Sequence, residues 1–216
     1  MSRAAPPRLP DVSPDAGWAS LAYAAADAGL CSPFDALALH HAALPFPDAS
    51  ELAALRAAGI TDATLRLARC APKAATVRMM PGGRFDFRHD GRRALVIPAY
   101  GFGGDFIDMV AWFPARPDKP ASLEGRAVLL GEDLIEDAAT FFDGAPCSVF
   151  RDVLGWLKAG GRGLVVIDRA RVWRRLMGIG GPICGEDADH ARQLLDIVTP
   201  PRSCRVLAPL EQEHDA

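Results

Sequence analysis

Thr76-Val-Arg-Met-Met80, Arg84-Phe-Asp-Phe-Arg88, Leu95-Val-Ile-Pro-Ala99 and Phe106-Ile-Asp-Met-Val-Ala-Trp-Phe113 are four short runs with extended character, and they decide the fold. Between them stand Pro81-Gly82-Gly83, Asp90-Gly91 and Gly101-Phe102-Gly103-Gly104. Glycine and proline punctuation of that kind makes tight reversals, so the block predicts an antiparallel β meander over 73–120. It ends in a polar stretch, Pro114 to Pro120, read as a loop because it carries three prolines.

Working outward, the chain ahead of the meander reads as helical. Ser13-Pro14 and Ser32-Pro33 are N-caps followed by a first-turn proline. Trp18, Leu21, Ala22 and Ala25 follow the first, and Phe34, Leu37 and Leu39 the second. A third helix is expected over Ser50–Ala58, stopped by Gly59, and Thr61 caps a short fourth carrying Leu65. Residues 15–72 thus form a helical subdomain behind a frayed N-terminus, 1–14, whose four prolines and missing apolar segment do not suit a signal peptide.

Beyond the meander, strands and helices alternate. Val128–Leu130, Ser148–Phe150 and Leu164–Ile167 are strand candidates, and Val206-Leu207 closes the series. Helices are expected over Glu132–Ala139, after Val153, over Arg169–Met177 with Val172, Trp173 and Leu176 inward, and on the face Ala191, Leu194, Leu195, Val198. That alternation implies a small, mostly parallel sheet with flanking helices over 121–208, followed by a tail, 209–216. The expected fold class is α+β or α/β.

Composition narrows the function classes. Half of the 216 residues are apolar, 24% are charged, and the net charge is −3. Disordered, collagen-like and coiled-coil classes are excluded. No run of about 18 apolar residues offers a membrane span. The five cysteines, at 31, 70, 147, 184 and 204, form no C-x-x-C pair, which suits buried free thiols in a cytoplasmic protein better than disulfides or zinc. Charge is uneven: residues 1–72 sum to −2, 73–117 to +3 and 118–216 to −4.

Four constellations could carry chemistry. In the basic block, Arg84 and Arg88 share one strand face with Asp86, while Phe85 and Phe87 share the other. With Arg78, Arg92 and Arg93 they could contact phosphates through guanidinium forks, or simply cover a sheet whose far side is core. Arg171, Arg174 and Arg175, at i, i+3 and i+4, make a secondary basic patch. Glu132 and Asp168 each follow a strand and could share a divalent ion through hard oxygen ligands, or cap the helices they precede. The glycines at 178, 180, 181 and 185 read as a loop around a short strand, because Glu186, Asp187 and Asp189 would repel a phosphate. Cys147, His190 and Asp168 lack any spacing that marks a nucleophilic set, and His40-His41 reads as structural.

Gly91-Arg92-Arg93-Ala-Leu-Val-Ile-Pro98, a glycine turn and Phe106–Trp112 together resemble a stretch of bacterial and phage primases at their TOPRIM catalytic region, with the likeness extending over 85–207. That resemblance implies a TOPRIM-like fold in which Glu132 and Asp168 stand where the family holds Mg²⁺. The second acid of the family's Asp-x-Asp would fall on Ala170, between Arg169 and Arg171. It therefore implies a degenerate, non-catalytic, primase-like DNA-binding protein of phage or prophage replication type. Its partner would be single-stranded DNA or a replication protein, with no cofactor. The alternatives are a Mg²⁺-dependent phosphoryl- or nucleotidyl-transfer enzyme and a protein–protein interaction module.

Overall fold

A computed structural model describes residues 33–199. The expected helix after Ser13-Pro14, the Val206-Leu207 strand, and both terminal segments lie outside the described residues. Three helices come first: α1 (Pro33–Ala43), α2 (Ala49–Ala57) and α3 (Asp62–Arg66). Helix α2 starts at Ala49, one residue before the expected Ser50, and is capped by Asp48. Its side chain accepts the Glu51 N–H at 2.9 Å while the Glu51 carboxylate accepts the Asp48 N–H at 2.8 Å, a reciprocal capping box. Thr61 caps α3 as expected.

Five strands follow: β1 (Lys73–Met80), β2 (Arg84–Phe87), β3 (Arg92–Tyr100), β4 (Phe106–Phe113) and β5 (Arg116–Ser122). They form a closed barrel in the order β1-β2-β5-β4-β3, with β1 also paired to β3. This corrects the meander in two ways. Strand β3 passes over β2 to pair with β1, and the proline-containing stretch read as a loop is a strand. Pro117 and Pro120 are tolerated there because β5 meets β2 at one position only, Arg84 opposite Ser122. Elsewhere on that side no ladder partner needs their missing N–H.

The second layer is a four-stranded sheet in the order β6-β8-β7-β9, from β6 (Leu129–Leu130), β7 (Cys147–Phe150), β8 (Leu164–Val166) and β9 (Ile183–Cys184). Strand β8 is parallel to β7, and β7 to β9, but β6 runs antiparallel to β8. Helices α4 (Val153–Lys158), α5 (Val172–Met177) and α6 (Ala188–Val198) accompany it. The stretch expected as a helix from Glu132 instead makes 3-10 turns at Glu132–Leu134 and Ala138–Gly144. On α5, Val172 and Leu176 are buried but Trp173 is 42% exposed. On α6 the inward face is His190, Leu194, Ile197 and Val198, and Leu195 faces solvent.

Strands β3 and β4 are buried on both sides over Ala94–Ala99 and Met109–Trp112, which explains the apolar runs there. Val96, Met109 and Ala111 pack with Val77, Phe85 and Leu37 in one cluster. Leu95, Ile97, Val110 and Trp112 pack with Leu130, Val153, Trp156 and Val165 in another. Barrel and α/β layer therefore share a core. No described helix is long and apolar enough to cross a membrane.

Candidate nucleic-acid interface

The single pairing between β2 and β5, Arg84 opposite Ser122, leaves most of β5 without a β2 partner. A groove of about 690 Å³ lies there. Its floor is apolar, from Val77, Met79, Met80, Phe113 and Ala121, and its walls carry Arg78, Arg84, Arg92, Arg116 and Lys119 against one acid, Asp90. Arg78, Arg92, Arg116 and Lys119 make no ion pair among the described residues. Arg92 lies over the Phe113 ring, 5.4 Å from its centroid, which puts a cation and an aromatic face on one surface.

The arginines nominated from sequence divide by what they already hold. Arg93 makes a two-toothed pair with Glu51, at 2.9 and 3.1 Å, tying β3 to α2. That fork holds the Glu51 carboxyl below the ordinary range despite partial burial. Arg88 pairs with Asp86 at 3.0 Å. Arg84 donates twice to the Leu123 carbonyl, at 3.1 and 2.9 Å, and keeps its charge in the groove wall. Arg171 holds Asp168 at 2.5 Å and donates to the Gly125 carbonyl. Arg175 stands 3.0 Å from Glu132 and over the Phe102 ring. Arg174 stacks over Trp173. Of the arginines nominated from sequence, Arg78, Arg92 and, in part, Arg84 belong to the groove. Arg116 and Lys119 were hidden by the loop reading of their stretch.

Asp108 holds the same connector whose carbonyls Arg84 and Arg171 engage. It is fully buried on β4, and its two oxygens accept the N–H groups of Met109, Glu124, Arg126 and Ala127 at 2.7–3.0 Å. The connector from β5 to β6 is thus gripped by its amides from one side, and by two guanidinium groups at its Leu123 and Gly125 carbonyls.

The carboxylates expected to share a cation do not converge. Because β6 and β8 are antiparallel, Asp168 lies beside Val128, whose carbonyl accepts its N–H at 3.2 Å. Glu132 lies at the other end of β6, on the order of 13 Å of strand away. Their positions would coincide only if the two strands ran parallel. Each has its own guanidinium. Burial alone would raise the Asp168 carboxyl, but Arg171 and backbone donors hold it low. Glu132 is 1% exposed and burial pushes its carboxyl up, with Arg175 only partly opposing. Its oxygens accept no hydrogen bond among the described residues. No described group of three His, Cys, Asp or Glu side chains could hold a metal.

Cys147 and Asp168 stand at opposite ends of the parallel β7–β8 pair, on the order of 20 Å apart, so they form no set with His190. Burial pushes the Cys147 thiol up to about 11 and that of Cys70 up to about 12. At Gly181 a Cβ would come 2.2 Å from the Phe141 ring, so that glycine serves packing. His40 and His41 lie on α1 against Phe87 and Phe106 respectively, in an aromatic environment. No family model, curated protein or solved structure matches the chain.

Proposed function

We propose that this chain is a non-catalytic, nucleic-acid-associated module that binds single-stranded DNA in the groove on its barrel, in a replication-accessory role. The observation that carries the reading is the groove: five cations and one carboxylate around an apolar floor, in a chain whose net charge is −3. Phosphates would engage Arg78, Arg84, Arg92, Arg116 and Lys119, while Phe113 and the exposed faces of Met79 and Met80 meet the bases. The resemblance of Gly91–Pro98 and Phe106–Trp112 to primases supports DNA, and a phage or prophage origin, over other polyanions. Those stretches form β3 and β4 of the barrel.

Fluorescence anisotropy with labelled oligo(dT) tests the reading. Binding should be measurable at low salt and fall as salt rises. The pair Arg92→Glu and Arg116→Glu should weaken it by about a hundredfold. Arg93→Ala, outside the groove, should change it by less than about threefold. Absence of binding at low salt removes the reading.

A further inference from the structure

A second cleft, of about 430 Å³, lies where β5 faces the carboxyl ends of the parallel strands β7 and β8. That end of a parallel sheet is where open α/β layers take ligands. Phe150, Ile167 and Ile197 give it an apolar wall. His190 lines it too and is 6% exposed. The Nδ1 of His190 accepts the Glu186 N–H at 3.2 Å, which places the imidazole proton on Nε2. His190 therefore has one donor, Nε2–H, left to offer. Two cations of the cleft, Lys119 and Arg169, make no ion pair among the described residues. The third, Arg151, is held by Asp187 at 2.5 Å and by Glu186 at 3.7 Å. Asp118 is the carboxylate on the β5 side. Lys119 and Pro120 also line the barrel groove, so the two sites are continuous.

We propose that this cleft seats one nucleoside monophosphate unit. Its planar base would lie against the Phe150–Ile197 wall with a ring acceptor toward His190, and its phosphate between Lys119 and Arg169. The volume lies in the range of small-molecule sites, and the pairing of an apolar wall with unneutralised cations fits a ring joined to a phosphate. The choice of a nucleotide over other ring-bearing anions rests on the single-stranded DNA reading of the adjoining groove. The unit could come from free nucleotide or from the end of a bound strand.

Calorimetric titration of the full chain with AMP, with inorganic phosphate and adenosine as controls, tests this beside the oligo(dT) assay. Wild type should take up AMP saturably and more tightly than either control. Arg169→Glu and the cleft-filling Ile197→Trp should each weaken AMP about tenfold or more, while Arg93→Ala, which lines neither site, leaves it unchanged. If the unit is a strand end, Ile197→Trp also weakens oligo(dT) and AMP competes with it. If it is free nucleotide, Ile197→Trp leaves oligo(dT) binding unchanged. Absence of saturable uptake at millimolar AMP, or phosphate binding as tightly as AMP, overturns the proposal. Persisting oligo(dT) binding would then leave the groove reading intact, whereas AMP uptake without oligo(dT) binding would remove the groove reading alone.

Discussion

Asp108 is the residue on which the interface geometry turns. Four backbone N–H groups converge on one fully buried carboxylate, and three of them belong to the connector leaving the groove. Asp108→Asn keeps the shape but points an amide donor at some of those donors. It should cost about 3–5 kcal/mol in urea unfolding, the scale of breaking a buried charge-assisted network. A loss under about 1 kcal/mol would show the connector is held by other means. His41 makes the second residue-scale prediction. Burial lowers its pKa from 6.5 to about 4, with Lys73 and His40 adding to the effect and a backbone hydrogen bond at Val96 opposing it. A base whose folded pKa is depressed binds fewer protons folded than unfolded between those values. Its contribution is therefore complete above about pH 6.5 and is lost as pH falls toward 4. His41→Gln should flatten the decline in stability between pH 7 and 4.5 by about 2–3 kcal/mol, read from urea midpoints at each pH.

At the scale of elements, β5 and the glycine turn before β8 matter most. Gly163 has φ +96°, and a Cβ there would lie 2.4 Å from the Ser148 carbonyl oxygen. Gly163→Ala should destabilise by about 2 kcal/mol or more, seen as a lower thermal midpoint, because neither the dihedral nor the neighbouring strand can yield cheaply. Strand β5 carries Arg116 and Lys119, so charge reversal at either should weaken oligo(dT) about tenfold and reduce the magnitude of its log–log salt slope by about 0.7. An unchanged slope would place the phosphates elsewhere. Sequence periodicity missed this strand because prolines normally argue against one. What rescues it is a partner, β2, that asks for a single ladder pair. The capped helices α2 and α3 were legible, since capping is a local interaction among neighbouring residues. The inward face of α6 was assigned one position off, because the outward Leu195 mimics the apolar spacing that Leu194, Ile197 and Val198 obey.

For the molecule as a whole, the shared core makes the barrel and the α/β layer one packing unit around β3 and β4. A Trp156→Ala cavity in the layer should therefore lower the midpoint of barrel and layer together, in a single transition with a cost of about 3–5 kcal/mol. Two transitions by near-ultraviolet dichroism and hydrogen exchange would separate them. The sequence by itself determined the local features: turn positions, helix caps, the alternation of Phe85 and Phe87 against Arg84 and Asp86, and the placing of positive charge in the middle of the chain. Each depends on residues a few positions apart, where backbone dihedrals and side-chain alternation follow directly from residue type. Only the tertiary structure decided that the meander closes into a barrel, that β6 turns back against β8 and parts Glu132 from Asp168, and which arginines remain unneutralised. Those outcomes depend on strand partners and counter-charges distant in sequence, such as Glu51 for Arg93. Such pairings are chosen by burial of a common core, which no local pattern encodes.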